Sequence, residues 1–351
     1  MWRSKSSNRM KKLFIPFTPY QNGIGGPSTF MSHLKGFLDE RGFVYTEKHD
    51  NIKAIFFPIA YDIGHLKKFK DEGVKIIQRL DGVYYPSKHG NEYIALNRDI
   101  KEIHNNLADI VIYQSGYSKA QCEIMLGKLA DTENHVILNG TDKTIFYPST
   151  HIKKEPGEIR LITTGNFRNP DMIEPVVKAL NLLIDQFPFR LVTLGNISNE
   201  RIRHLYQAPY IDRVDNVEKG RLADELRKSD IFIYSHLNPP CPNSVIEAVS
   251  CGIPVVGFKS GAMEELLYFN KELLAYVSDE TIQEYKDFDE HKLAEKILLA
   301  VNEFAYFKQK ALENSHLYSF EETGNRYLTI FNEVMKKERA TSRWCSLPGI
   351  G

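Results

Sequence analysis

Cysteine is scarce in this chain. Cys122, Cys241, Cys251 and Cys345 are its only thiols, and no two form a C-x-x-C. That excludes a zinc-ribbon spacing, and scattered thiols point to a reducing compartment rather than a disulfide framework. Net charge is also lacking: Lys+Arg and Asp+Glu both total 45 in 351 residues. No global field draws the chain to nucleic acid. Long apolar runs are missing, since none approaches the roughly 20 residues that span a bilayer. The basic start M-W-R-S-K-S-S-N-R-M-K-K leads into an apolar stretch too short for a signal-peptide core. The expectation is a cytoplasmic protein with no nucleic-acid partner and at most peripheral membrane contact.

What is present is a composition of 42% hydrophobic and 26% charged residues, typical of a globular chain. Short apolar runs alternate with amphipathic segments. The runs L-F-I-P-F (13–17), A-I-F-F-P-I (54–59), V-K-I-I-Q-R-L (74–80), D-I-V-I-Y-Q-S (109–115) and H-V-I-L (135–138) read as strands. Helical patterns separate them, as at 28–40 and 116–129. A Gly-, Pro- and charge-bearing stretch, 139–157, reads as a linker. The alternation then restarts with strands at 159–166, 190–196, 230–235 and 253–258, and helices at 171–186, 220–228, 244–251 and 262–269. Alternating elements imply parallel sheets covered on both faces. The expected architecture is α/β, with two Rossmann-like domains facing across a cleft and a helical region from about 289 to 338.

Two motifs point to chemistry. Q-N-G-I-G-G-P-S-T-F (21–30) joins the first strand to a helix, and its glycines permit close backbone approach to a ligand. The free amides of a helix start offer an anion site, although the G-x-G-x-x-G spacing is not met. The second motif is N-P-P-C-P-N-S-V-I-E (238–247), whose only charge is Glu247. Ser244 and Glu247 have capping-box spacing. Alternatively, Glu247 faces the cleft and accepts hydrogen bonds from a ribose diol, with Asn243 and Ser244 toward phosphate. In R-L-D-G-V-Y-Y (79–85), Asp81 ends a strand and reads either as a turn residue or as a cleft residue. Arg98 and Asp99 read as a helix start, with Asp99 explained by the helix dipole. His65 and His104 read as surface or packing residues. Tyr84 and Tyr85 suit either sugar stacking or the core.

C-P-N-S-V-I-E-A-V-S-C-G-I-P-V-V-G-F followed by S-G-A-M-E-E-L strongly resembles the donor-binding segment of family-four glycosyltransferases of the GT-B fold. G-G-P-S-T-F, R-L-D-G-V-Y-Y, A-D-I-V-I-Y-Q-S-G-Y-S-K (108–119) and N-G-T-D-K-T-I-F-Y-P (139–148) fit the same family in order. The resemblance implies a sugar transferase that uses a nucleoside-diphosphate sugar, retains configuration, and needs neither metal nor cofactor. The acceptor hydroxyl would belong to a glycan, a lipid-linked group, a protein or a small molecule. Gly25 and Gly26 would lie beneath the diphosphate, Glu247 would hold the ribose, and Gly261 and Glu265 would match the family's G-G-x-P-E segment. Where relatives carry a first glutamate, this chain has Pro239. The diphosphate cation would be Arg168 or Lys259, and Asp81 would position the acceptor hydroxyl.

The implied layout is a basic tail (1–10), an acceptor-side domain (11–148), a donor domain (149–318), a helix returning to the first domain (319–338) and a disordered tail (339–351). A sugar-nucleotide epimerase, or a catalytically weakened binding protein on the same scaffold, is the alternative.

Overall fold

The computed structural model describes residues 12–16, 26–149, 157–278 and 288–336. Gly25 and the tails at 1–10 and 339–351 therefore lie outside the described residues, except that the tails' neighbours at 12 and 336 bound what is seen.

The first domain runs β1 (Lys12–Phe14), α1 (Gly26–Glu40), β2 (Tyr45–Thr46), β3 (Ile52–Pro58), α2 (Ile63–Asp71), β4 (Lys75–Leu80), α3 (Pro86–His89), α4 (Tyr93–Glu102), β5 (Ile110–Tyr113), α5 (Gly116–Leu126) and β6 (Glu133–Val136). The second contains β7 (Ile159–Thr164), α6 (Glu174–Asn181), β8 (Phe189–Leu194), β9 (Ile211–Val214), α7 (Lys219–Lys228), β10 (Ile231–Tyr234), α8 (Asn243–Ser250), β11 (Val255–Phe258), α9 (Met263–Leu266) and β12 (Leu274–Ala275). It continues into α10 (Glu290–Asn302) and α11 (Phe304–Glu313), and α12 (Phe320–Lys336) follows.

Each domain holds a six-stranded sheet, ordered β2-β1-β3-β4-β5-β6 and β12-β11-β10-β7-β8-β9. The strand pairs are parallel. The central strands β5 and β10, I-V-I-Y and I-F-I-Y, are buried at every residue, as parallel strands covered by helices on both faces must be. This is the expected α/β fold of two facing domains. The edge strands β2, β9 and β12 were not foreseen: β2 and β12 are two residues long, and β9 is only partly buried. Arg98 and Asp99 lie in the interior of α4 rather than at its start, so the dipole explanation of Asp99 does not hold.

The chain crosses between domains twice, and the two crossings touch. Thr141 N donates to the Tyr318 carbonyl and Phe320 N donates to the Thr141 carbonyl, both at 2.9 Å. Gly140 is required here, because a Cβ would lie 2.5 Å from the Ser319 carbonyl oxygen. Lys143 pins the same region, donating to Ser250 Oγ at 2.7 Å and the Ser315 carbonyl at 2.6 Å. Burial pushes its ammonium down to about 8. After the second crossing, α12 packs Phe320, Tyr327 and Phe331 into the first domain's core with Leu13, Phe30 and Phe56.

Candidate functional site between the domains

In open α/β sheets, ligands bind beyond the C-terminal strand ends. Here the ends of β4, β7 and β10 open onto a pocket of about 270 Å³, lined by Gly26, Asp81, Gly165, His236, Asn243 and Ser244 among others. Helix α1 starts at Gly26 and helix α8 at Asn243. The two starts approach closely, for a Cβ on Gly26 would lie 3.9 Å from Asn243 Nδ2. Helix starts carry unpaired amides and the positive end of the dipole. Two of them on one small pocket make a strong place for an anion. A second pocket, of about 370 Å³, adjoins the first and shares Asp81, Tyr234, His236, Pro240 and Pro242 with it. Tyr84, Tyr85, Lys88 and His89 line its first-domain side.

Asp81 stands at the junction of the two pockets. Its Oδ1 is paired with the Arg79 guanidinium and accepts from Gln114 Nε2 at 2.7 Å. Its Oδ2 is buried without a hydrogen-bond partner among the described residues. Arg79, only 1% exposed, donates from Nε to Tyr327 Oη at 3.0 Å and from Nη2 to Asn139 Oδ1 at 2.9 Å. It also lies 3.6 Å from the Phe30 ring centre. Asn139 in turn donates to Gln114 Oε1 at 3.0 Å and to Asn243 Oδ1 at 2.9 Å. One buried network thus links α12, β4, the crossing and the start of α8.

Ser244 does not cap α8. The N-cap is Pro242, no side chain caps the helix, and Ser244 sits inside the first turn. The capping-box explanation of Glu247 is therefore overturned. Glu247 lies one turn beyond Asn243 on α8, and its carboxylate accepts no hydrogen bond among the described residues. Burial pushes its carboxyl up to about 7, opposed by the charge of Lys219 at the start of α7. Lys219 Nζ donates to His33 Nε2 of α1, and burial lowers its own ammonium. Burial and Lys219 together push the His33 imidazole down to about 4, which suits a ring nitrogen that accepts. Neither Lys219 nor His33 was singled out from sequence.

The remaining expected residues are placed differently. Arg168 is exposed, its carbonyl accepting from Asn199 Nδ2 at 2.9 Å, and it lines neither pocket. Lys259 is exposed and paired with Glu264 at 3.0 Å. Glu265 reaches across to the first domain, where the Gly116 amide donates to its two carboxylate oxygens at 3.1 and 2.9 Å. Gly261 has φ +62°, and a Cβ there would lie 2.3 Å from Pro239 Cδ. Pro239 is locked against that loop, with Ala262 N donating to its carbonyl at 2.9 Å. His104 is buried and bonded to Tyr113 Oη at 2.8 Å, a packing residue as expected. The tripeptide Asp287–Phe288–Asp289 has the D-x-D pattern. Asp289 caps α10 by accepting from Lys292 N, and Asp287 is outside the described residues. Among the described residues there is no cluster of three or more His, Cys, Asp or Glu that could hold a metal. No helix among them is long and apolar enough to cross a membrane.

Residues 158–301 match the family described as glycosyl transferases group 1. The N-acetyl-alpha-D-glucosaminyl L-malate synthase of Bacillus anthracis is 22% identical, over 78% of this chain and 71% of that protein. The sucrose-phosphate synthase of Thermosynechococcus elongatus has a similar structure, with a TM-score of 0.64 at 15% identity, covering 87% of this chain and 78% of that one. Anabaena HepE in complex with UDP-glucose gives a TM-score of 0.68 at 15% identity, covering 92% of this chain and all of that one (100%).

Proposed function

We propose that this chain, a group 1 glycosyltransferase with a GT-B fold, moves a sugar from a nucleoside diphosphate to an acceptor hydroxyl in the cleft between its domains. The reading adds retention of anomeric configuration and independence of metal or other cofactor. The observation that carries it is the meeting of the α1 and α8 starts on one pocket at the strand ends.

In this reading the diphosphate lies against Gly26, Asn243 and Ser244, and Glu247 accepts from the ribose hydroxyls one turn further along α8. The transferred sugar reaches the junction at Asp81. The acceptor enters through the pocket beside Tyr84, Tyr85 and Lys88. As the anomeric carbon–phosphate oxygen bond breaks, negative charge grows on the leaving diphosphate. Fixed helix dipoles in a water-poor site stabilise such charge without reorganising. The acceptor oxygen bonds to the same face of the anomeric carbon, and its proton passes to the leaving phosphate oxygen. Asp81, committed to Arg79, then orients the acceptor hydroxyl through Oδ2 rather than serving as a required base. Arg168 and Lys259 take part only by swinging in from their exposed positions. The acceptor is a glycan or another hydroxyl compound. HepE, bound to UDP-glucose, makes UDP-sugars the first donors to test.

The test is incubation with a panel of nucleotide sugars and acceptors, following nucleoside-diphosphate release and the anomeric configuration of the product by NMR. Release with an inverted product removes the retaining assignment. Saturable binding without release under any acceptor supports a binding protein instead. Activity lost to exhaustive chelation and restored by a divalent ion removes the metal-free assignment.

A further inference from the structure

His236 follows the last residues of β10 and lines both cleft pockets. Its ring packs against Tyr234, with centroids 4.7 Å apart and planes at 40°. The same ring covers the end of β7, because a Cβ on Gly165 would lie 3.4 Å from His236 Cε1. A side chain at position 165 would crowd the imidazole, so the glycine leaves the ring its seat. Neither ring nitrogen has a hydrogen-bond partner among the described residues. A half-buried imidazole held by packing alone, at a ligand pocket, is a polar group awaiting a partner.

The surroundings decide what kind of partner. Burial and the charge of Lys88 push the His236 imidazole down to about 4. Near neutral pH the ring therefore carries one N–H donor and one bare acceptor nitrogen. A neutral ring is a weaker partner for phosphate than a cation. It suits a neutral polyol, donating to one oxygen while accepting from a hydroxyl. Of the nearby polar groups, Asp81 Oδ1 holds Arg79 and Gln114 and Ser260 Oγ donates to Asn238 Oδ1 at 3.1 Å, while Asp81 Oδ2 has no partner among the described residues. Pro239, Pro240 and Pro242, which share this wall, have no side-chain donor or acceptor.

We propose that His236 is a sugar-contacting residue that holds the transferred sugar of the donor at the junction of the two pockets. The inference rests on the glycosyltransferase reading and deepens it. His236 fixes the sugar ring while α1, α8 and Glu247 hold the nucleotide part, so its contribution is separable from theirs.

The test compares each of a panel of UDP-, GDP- and ADP-sugars with its sugar-free nucleoside diphosphate, by calorimetric titration of the full chain. For the sugar nucleotide that binds, His236→Ala should weaken affinity about tenfold, as expected for one lost hydrogen bond of ordinary strength. Affinity for the sugar-free diphosphate should stay unchanged. His236→Asn, which keeps one donor and one acceptor, should recover part of the loss, and kcat/KM for the donor should follow the same order. Equal weakening of both ligands, or no weakening of either, overturns the proposal while leaving the enzyme reading intact. If the parent protein binds and turns over no nucleotide sugar, that reading fails and His236's role fails with it. A circular-dichroism melt of each variant separates misfolding from lost contact.

Discussion

The two carboxylate oxygens of Glu265 receive the backbone amide of Gly116 at 3.1 and 2.9 Å, although the residues belong to different domains. Gly116 opens α5, so a second-domain carboxylate sits on a first-domain helix dipole. Such contacts contribute about 1 kcal/mol. They act only while the cleft is closed. Glu265→Ala should shift the protein toward an open form, seen as a larger radius of gyration in solution scattering, with little change in melting temperature. An unchanged scattering profile would show that Glu265 does not hold the domains together.

The proposed ribose role of Glu247 couples donor binding to pH. A carboxyl whose folded pKa is raised burdens the fold as pH rises. The penalty is absent below the ordinary carboxylate value, grows up to about 7, and is constant above it. Glu247→Gln should therefore stabilise the protein by about 1–3 kcal/mol at pH 8 and not at pH 4.5. The same variant should lose about tenfold or more in donor affinity. Denaturant titrations at both pH values, with nucleotide binding at pH 8, check the pair. Retained donor affinity sinks the ribose role.

Asp81 is the counter-charge of a guanidinium that is 1% exposed. Asp81→Asn keeps the shape and leaves Arg79 uncompensated. Breaking a buried pair on one side costs about 3–5 kcal/mol. Urea unfolding should show that loss, alongside reduced turnover. A variant of parental stability would mean that the pairing is not what Asp81 is for.

Gly261→Ala should damage the cleft from behind. The position needs φ +62° and has Pro239 Cδ 2.3 Å from where a Cβ would stand. The loop must move, taking Pro239 and the adjoining pocket wall with it. A loss of about 2 kcal/mol or more is expected, with a raised donor KM. Parental kinetics would show that this wall is not part of the site.

The two-sheet α/β fold and most central strands were legible because parallel strands buried on both faces spell themselves as apolar runs. Central strands β5 and β10 matched the sequence reading closely. Edge strand β9, I-D-R-V, is half polar and leaves no such trace. For the site, Gly26, Asp81, Asn243 and Ser244, each drawn from a motif read in the sequence, line one pocket. Glu247's surroundings were not legible, because Lys219 comes from a distant element and acts on it only in three dimensions, itself bonded to His33 of α1. His236 had a readable signal, its place just past a strand end, but it fell between the strand 230–235 and the motif at 238. The capping box failed for a local reason. The helix begins at Asn243, so Ser244 is inside the turn it was expected to cap.

The touching crossings at Thr141 and Ser319 have a mechanical consequence. A single covalent tether lets two bodies swivel about it freely, whereas two tethers hydrogen-bonded side by side resist twisting and shear. Relative motion of the domains is thereby confined to bending across the ribbon, as a book opens on its spine. The starts of α1 and α8 can then part and return along nearly one path, so the pocket is rebuilt in the same register on each closure.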